Sequence, residues 1–516
     1  MNTAARLEST GQPGRIQVSQ ETADLLIAAG KETWLEERPD RVNAKGKGAL
    51  KTFWLRHEQQ PSESSRKLSS DTKISRFSAT VPTNGFTEIT KLERLVDWNI
   101  DVLARLLKQV VARRRSRGTE STELSSSSHY NPEPNEGSIL SEVKEIIALP
   151  RFDPVAFKNE QNPESIELDE AVKEELHTYV SSIAAMYRAN PFHNFEHASH
   201  VTMSVVKLLS RIVAPTDEIM DRECGGGKSG SDGGNSSQMA STMHDHTYGI
   251  TSDPLTQFAC VLSALIHDAD HPGVPNAQLV KERNQLAILY NNQSVAEQNL
   301  VDLAWDLLMD DDFRNFRRAI CSTPDEMKRF RQLVVNSVMA TDIVDKELKA
   351  LRNARWEKAF DTNTTSSFSR GSGGGAGNER DATNRKATIV IEHLIQASDV
   401  AHTMQHWHIY RKWNERFFME CYAAYKDGRA ATNPADGWYK GELGFFDFYI
   451  IPLAKKLKDC GVFGVSSDEY LIYAQKNRQE WETRGQEIVA TMLKKVSTTT
   501  NNSSATHEDT DSQESL

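Results

Sequence analysis

The sequence has few cysteines, and they lie far apart. Among 516 residues there are five, and no two stand at the spacing of a metal knuckle. This scarcity excludes a disulfide-stapled secreted domain and a cysteine-based zinc module. We expect no disulfides and a location in the reducing cytoplasm.

The sequence also lacks a long apolar run and an excess of positive charge. Its longest apolar runs, such as Phe258 to Ile266, fall short of the ~18 residues that suggest a membrane span. The net charge is −11 and the pI is about 5.8. We therefore expect no membrane segment within the chain and no nucleic acid as a partner. A small anionic substrate fits this charge, because a metal ion supplies local positive charge.

Composition and periodicity predict an all-α domain behind a short α+β segment. In chain order the parts are a 1–56 segment with strand-like runs, a 57–137 linker with an amphipathic helix at about 88–117, a helical 138–495 domain with Gly/Ser-rich insertions at about 225–237 and 362–377, and a disordered acidic tail at 496–516. The 88–117 helix is a candidate contact for a homodimer.

The first polar motif pairs two histidines. Pro191 is expected in the first turn of a helix, so that His193 and His197, four residues apart, would share one face. Two imidazoles at that spacing can converge on one metal ion. For either residue alone, a satisfied core histidine is the alternative.

Two further motifs place acidic side chains beside apolar helices. The helix from Phe258 to Ile266 runs into His267 and Asp268, and a third helix, from Ile389 to about Trp407, carries Asp399 among the apolar residues Leu394, Ile395, Val400 and Ala401. An ionised carboxylate on such a face needs a partner, and a metal ion is one. Imidazole with carboxylate suits zinc, whereas a carboxylate with water suits magnesium or manganese.

The order of these motifs resembles that of the HD hydrolase superfamily, and residues 138–495 resemble the catalytic domain of class I cyclic nucleotide phosphodiesterases. The matching blocks are Phe192-His193-Asn194 with His197-Ala198, Ala264 to Asp268 with His271-Pro272-Gly273 and Asn276, Tyr290-Asn291 with Ser294-Val295 and Glu297, Ala340-Thr341-Asp342, Ala397-Ser398-Asp399, and Gly444-Phe445. The resemblance implies an HD-type multi-helix fold that hydrolyses cyclic GMP and/or cyclic AMP to 5′-monophosphates.

The resemblance also implies two divalent cofactors. The first, expected to be zinc, would be held by His197, His267, Asp268 and Asp399. Asp268 would bridge to a second ion, expected to be magnesium or manganese.

Four further residues receive roles in the reaction from the same resemblance. His193 would be the general acid that gives a proton to the O3′ leaving group. His271, Glu297 and Thr341 would hold water and the acid in orientation.

The segment Gly441 to Phe445 departs from the family pattern. A glutamine normally reads the purine edge three residues before a phenylalanine that clamps the ring, and here Glu442 precedes Phe445. A carboxylate only accepts hydrogen bonds. Guanine offers two adjacent donors, whereas adenine offers an acceptor beside its amine, so we expect a preference for cyclic GMP unless Glu442 is protonated. His402 and Phe192 also stand at substrate positions, where an asparagine and a tyrosine are common.

Residues 1–56 resemble the last part of a class III nucleotide cyclase domain of the guanylate type. The matching runs are Asn2 to Gly11, Gly14 to Ser19, Lys45 to Gly48 and Thr52 to Leu55. In that family Asn2 and Arg6 would face the transition state and Lys45 the triphosphate.

The metal-binding aspartates of such a cyclase lie upstream of the matching segment. We therefore expect a longer cyclase and phosphodiesterase fusion, with a vestigial regulatory segment as the alternative. The chain would lie at the cytosolic face of a membrane if an upstream part is anchored there.

Two other functions compete with hydrolysis. One is a catalytically inactive nucleotide-binding or scaffold module, and the other is a bifunctional guanylate cyclase and phosphodiesterase whose cyclase half is truncated. A complete set of metal ligands favours the phosphodiesterase.

Overall fold

A computed structural model describes residues 17–28, 32–39, 42–44, 48–55, 85–116, 138–212, 232–360 and 376–505. The chain divides into two compact units, Met1–Val81 and Pro82–Leu516. None of the helices in these ranges combines the length and the apolar character that a membrane crossing needs.

The first unit is α+β, as predicted. Its antiparallel sheet has the order β1–β5–β2, and a separate hairpin pairs β3 with β4. The elements are β1 (Gln17–Ser19), α1 (Gln20–Ala28), β2 (Leu35–Glu37), β3 (Val42–Ala44), β4 (Gly48–Leu50) and β5 (Thr52–Leu55). Phe53 and Trp54 of the central strand are buried. The cyclase-like residues Asn2, Arg6 and Lys45 lie outside the described residues.

The second unit is helical in all the parts that the structure describes, which confirms the predicted fold class. Its helices are α2 (Gly85–Ser116), α3 (Ile139–Val143), α4 (Pro154–Lys158), α5 (Glu170–Met186), α6 (Phe195–Ser210), α7 (Asp232–His246), α8 (Pro254–Ile266), α9 (Asn276–Lys281), α10 (Gln285–Leu289), α11 (Val295–Met309), α12 (Arg314–Ile320), α13 (Pro324–Met339), α14 (Lys346–Phe360), α15 (Ala376–Asp399), α16 (Trp407–Lys426), α17 (Trp438–Phe445), α18 (Ile451–Asp459) and α19 (Gly464–Ala505).

Helix α8 lies at the centre of this unit. Asp253 caps it by accepting the N–H of Thr256 at 3.2 Å, and Pro254 occupies its first turn, where no N–H is needed. All but one of its thirteen residues are buried, against α2, α6 and α13. The C-terminal end of α8 is therefore a rigid support for the residues that follow it.

Helix α2, expected within a linker, packs into the core of the helical unit. Val96, Leu103, Leu107 and Val110 are buried there, and α2 contacts α5, α6 and α8. The packed unit thus includes residues well before position 138. Because the apolar face of α2 is covered within the chain, it gives no ground for the homodimer contact expected at 88–117.

Three other boundaries differ from the sequence prediction. Of the insertion expected at 225–237, residues 225–231 lie outside the described residues. The last six residues, 232–237, form the start of α7. The insertion expected at 362–377 lies outside the described residues up to position 375, and α15 begins at Ala376. The tail expected to be disordered from 496 is helical to Ala505, because α19 continues past Val496, which packs on the core.

Candidate metal centre

His197 lies in the first turn of α6, and His193 lies in the loop before it. Asn194 caps the helix by accepting the N–H of His197 at 3.1 Å, while its amide donates to the carbonyls of Asn190 and Pro191. The expectation that Pro191 opens the helix was wrong, because Asn194 satisfies a free N–H that proline cannot. His193 and His197 therefore come together through a capped loop and not along one helical face.

His267 and Asp268 follow the C-terminal end of α8, as the sequence predicts. The Nδ1 atom of His267 lies 2.9 Å from the carbonyl oxygen of Ala264. A carbonyl only accepts, so Nδ1 carries the proton and Nε2 presents a lone pair when the ring is neutral. This is the tautomer that a metal ligand needs.

Asp399 is the last residue of α15. The helix expected to continue to about Trp407 ends here, because the chain enters a 3₁₀ turn at Ala401–Met404 and then the extended residue Gln405. The carboxylate of Asp399 thus emerges at a helix end instead of a helix side.

These residues from three helices converge on one point. His197 Nε2 lies 3.1 Å from Asp399 Oδ1 and 3.6 Å from Asp268 Oδ2. His267 Nε2 lies 3.1 Å from Asp268 Oδ2 and 3.3 Å from Asp399 Oδ1. One ligand atom each from His197, His267 and Asp268 fits within 4.8 Å, so these side chains can hold one metal ion.

The polar atoms at this point fit a divalent cation. Within the described residues, His267 Nε2 and Asp268 Oδ2 are buried and have no hydrogen-bond partner. Burial lowers the pKa of His267, but the neighbouring Asp268 and Asp399 outweigh it and raise this pKa well above its ordinary value. Burial likewise opposes ionisation of Asp268, yet His267 and His193 hold its pKa well below the usual range. Two imidazoles facing two carboxylates form a donor set that zinc takes in proteins.

Glu420 of α16 fixes His193. The carboxylate of Glu420 is buried, accepts the backbone N–H groups of Phe192 and His193 at 2.9 and 3.0 Å, and pairs with His193 Nδ1. Burial lowers the pKa of His193, but Asp268 and Glu420 outweigh it, and the net shift is upward. Because Nδ1 is engaged by Glu420, Nε2 is the nitrogen that can give a proton to another group.

Sequence reasoning missed Glu420, although a signal was present. Trp413, Phe417 and Glu420 are spaced by four and three residues on α16, so Glu420 is an acidic side chain on an otherwise aromatic face. Like Asp399, Glu420 is a carboxylate among apolar side chains and therefore needs a partner.

A cavity of about 400 Å³ brings most of the predicted residues together. Its lining includes His193, His267, Asp268, Asp399, His271, Glu297 and Thr341. The ring of His271 lies 3.9 Å from that of His193, and burial lowers the pKa of His271 to about 3. Burial raises the pKa of Glu297 to about 8, and Asn276 donates to its carboxyl group at 2.8 Å. Thr341 donates to the Val338 carbonyl at 2.8 Å.

The residues predicted to bind the purine lie outside the lining of this cavity. Tyr410 of α16 donates to Glu442 at 2.6 Å, and Phe445 stacks on Tyr449 with ring centres 5.4 Å apart. Tyr410 precedes the cavity residue Phe417 by seven positions, which is roughly 10 Å along a helix. Helix α16 therefore connects the two groups.

Phe192 and His402 pack beside His197. Phe192 is buried, with ring centres 4.6 Å from His197 and 5.4 Å from His402. Burial lowers the pKa of His402 to about 3, so its imidazole is neutral near pH 7. Phe192 therefore packs against the imidazole rings of His197 and His402.

The fold and the site together define a helical protein in which histidine and aspartate side chains from several helices meet at a candidate metal centre. Residues 192–462, just over half of the chain, match the family model described as 3′5′-cyclic nucleotide phosphodiesterase. The chain belongs to that family. Residues 1–57 match the model of the adenylate and guanylate cyclase catalytic domain, so the first unit is similar to part of such a domain.

The chain matches relatives from other organisms over only part of the length of those proteins. The chain is 26% identical over 326 residues to "Probable 3′,5′-cyclic-AMP phosphodiesterase pde-4" of Caenorhabditis elegans, covering 60% of this chain and 40% of that protein. It is 32% identical over 179 residues to the human "cGMP-inhibited 3′,5′-cyclic phosphodiesterase 3A", covering 33% of this chain and 16% of that protein. The chain thus spans less than half of the length of these relatives.

Solved structures give a weaker likeness. The phosphodiesterase domain of the RhoPDE fusion protein from the choanoflagellate Salpingoeca rosetta is 21% identical, with a TM-score of 0.43 over 63% of this chain and 86% of that one.

Proposed function

We propose that this chain hydrolyses 3′,5′-cyclic nucleotides, cyclic AMP and/or cyclic GMP, to 5′-monophosphates with the help of two divalent metal ions. The observation that carries the proposal is the convergence of His197, His267, Asp268 and Asp399 from three helices. Family membership supports the reaction class.

The first ion, expected to be zinc, would be held by these four residues, and the second, expected to be magnesium or manganese, would share Asp268. Bound ions would lower the pKa of water and polarise the phosphoryl oxygens. His271, Glu297 and Thr341 line the same cavity and would hydrogen-bond water and orient the reacting groups.

His193 would give its proton to the O3′ leaving group. An acid does this best when its pKa lies near the working pH and its ring is held still. Glu420 serves both needs, because its negative charge favours the imidazolium and its bonds to the backbone fix the loop. We therefore assign Glu420 as a positioning residue for His193.

The base would lie towards Glu442 and Phe445. The roughly 10 Å between Tyr410 and Phe417 along α16 separates the metal cavity from the side chains around Glu442. A nucleotide with its phosphate at the metals and its base at Phe445 would extend in this direction.

Hydrolysis of both nucleotides by the full chain, with zinc and magnesium supplied, tests the proposal. Asp399→Asn should abolish hydrolysis and lower the metal content measured by elemental analysis after dialysis. Asp381→Asn, on the exposed part of the same helix, is the matched control and should change neither. If the unaltered chain hydrolyses neither nucleotide, the proposal is refuted and an inactive nucleotide-binding module is favoured instead.

A further inference from the structure

A row of hydrogen-bonded side chains ends at Glu442. Trp438 Nε1 donates to Asn414 Oδ1 at 3.2 Å, Asn414 Nδ2 lies 3.5 Å from the Tyr410 hydroxyl, and that hydroxyl donates to Glu442 Oε2 at 2.6 Å. The row connects α17 with α16 and returns to α17. Glu442 is thus held by Tyr410, and Tyr410 is held in turn by Asn414.

The chemistry of the row fixes its direction. An indole N–H can only donate, so the amide oxygen of Asn414 must face Trp438 and its NH₂ group must face Tyr410. The hydroxyl oxygen of Tyr410 accepts from Asn414, which directs its proton to Glu442. Oε2 of Glu442 therefore acts as an acceptor of the Tyr410 proton.

The two protonation states of Glu442 present different patterns to a purine. As a carboxylate it only accepts, which matches the N1–H and the amine of guanine and opposes the N1 lone pair of adenine. When protonated, it carries the proton on Oε1, because Oε2 already accepts from Tyr410. The O–H can then donate to adenine N1 while the second lone pair of Oε2 accepts from the adenine amine.

We propose that the preference between cyclic GMP and cyclic AMP is set by the protonation state of Glu442, so that selectivity for cyclic GMP increases as the pH rises. This inference rests on the proposed function, since it needs the base to contact Glu442. It goes beyond a fixed preference, because one site would change its substrate within the physiological pH range.

The surroundings of Glu442 place its titration near neutral pH. Burial raises its pKa to about 7, against the hydrogen bonds from Tyr410 and Asn414, which lower it. Two titratable groups of α16 face it, Tyr410 and Cys421. Burial raises the pKa of Tyr410 well above its ordinary value and that of Cys421 to about 12, so both are neutral near pH 7.

Charged groups on the other packed elements are directed elsewhere. On α19, the ring of Trp481 contacts Tyr410, while Arg478 pairs with Glu482 at 2.6 Å and with Asp447 at 2.9 Å. Lys440 of α17 and Asp436 of the preceding 3₁₀ turn are exposed. Burial, and not a neighbouring charge, therefore sets the protonation of Glu442.

The ratio of kcat/KM for the two nucleotides isolates this effect. Titration of His193 or of the metal ligands acts on both nucleotides alike and cancels in the ratio. For the full chain with zinc and magnesium, we expect the ratio of cyclic GMP to cyclic AMP to rise at least about tenfold between about pH 6 and 8.5. Glu442→Gln, which keeps the shape but does not titrate, should give a flat ratio.

A second variant tests the row itself. Tyr410→Phe removes the O–H that stabilises the carboxylate, so it should raise the pKa of Glu442 and move the midpoint of the ratio to higher pH. An unmoved midpoint would contradict the assigned direction of the hydrogen bonds.

Two outcomes would overturn the proposal: a ratio that is constant across this pH range in the unaltered chain, or one that changes equally in Glu442→Gln. If neither nucleotide is hydrolysed, the proposed function fails by itself. The base preference is then measured by calorimetric binding of guanosine and adenosine 5′-monophosphates over the same pH range. The ratio of their affinities should rise with pH in the unaltered chain and stay flat in Glu442→Gln, and a constant ratio in the unaltered chain would overturn the proposal.

Discussion

Replacing Glu420 by glutamine keeps the size of the side chain and removes the negative charge beside His193. The side chain of Glu420 is 4% exposed and that of His193 is 20% exposed, so water screens their interaction weakly. An opposite charge at this range shifts a pKa by about 1 to 3 units. We expect Glu420→Gln to lower the pKa of His193, because Glu420 is one of the charges that raise it.

A general acid acts only while it is protonated. Above its pKa, each unit by which the pKa falls lowers the rate about tenfold, whereas below the pKa the rate changes little. The alkaline limb of kcat should therefore move to lower pH, with a loss of about 10- to 100-fold at pH 8 and a smaller loss at pH 6. Steady-state hydrolysis measured across this pH range provides the profile.

Two controls separate this effect from a loss of structure. Glu415→Gln lies on the same helix, where Glu415 pairs with Lys495 at 2.6 Å near the surface, and it should leave the profile unchanged. In a His193→Ala background, Glu420→Gln should cause little further loss of kcat, because the acid that it positions is already absent. A folded Glu420→Gln variant with an unaltered pH profile would refute the reasoning.

Three other predictions concern stability and metal binding. Leu103→Ala, in the buried face of α2, should lower the free energy of unfolding by about 2 to 5 kcal/mol in a urea titration; no change would contradict the packing of α2. Burial opposes ionisation of Glu196, but Lys91 and Arg416 lower its pKa from 4.5 to about 2. This lowered pKa contributes stability above pH 4.5 that is lost as the pH falls towards 2, so Glu196→Gln should remove about 1 kcal/mol of acid-sensitive stability in thermal melts. His267→Ala should reduce the zinc retained after dialysis, and full retention would exclude it as a ligand.

The sequence indicated the candidate ligand positions, because a charged side chain beside an apolar helical segment needs a partner. Asp399 follows the buried apolar residues Leu394, Ile395 and Ala397 of α15, and His267 with Asp268 follows the apolar α8. Burial of an unpaired charge is costly whatever the fold, so the pattern of residue types selected these positions before their distances were known. The structure then placed the Nε2 atoms of His197 and His267 at 3.1 to 3.6 Å from the carboxylate oxygens of Asp268 and Asp399.

The tertiary structure decided which surfaces are covered and which groups act on one another. The periodicity of α2 shows one apolar face, but only the packed unit shows that α5, α6 and α8 cover it. Likewise, the sequence suggested Pro191 for the first turn of α6, whereas in the structure Asn194 caps the helix by accepting the N–H of His197, and the helix begins at Phe195.

The chemistry of Glu420 and Glu442 was likewise determined partly by the sequence and partly by the tertiary structure. The sequence by itself determined the fold class, the family resemblance, the candidate ligands and the carboxyl group at the position predicted to contact the purine. It left the protonation of Glu442 open and did not bring Glu420 to His193, because a pKa and an ion pair depend on burial and on neighbours that are distant in the chain. His193 and Glu420 are 227 positions apart, so only the folded helices could make one the partner of the other.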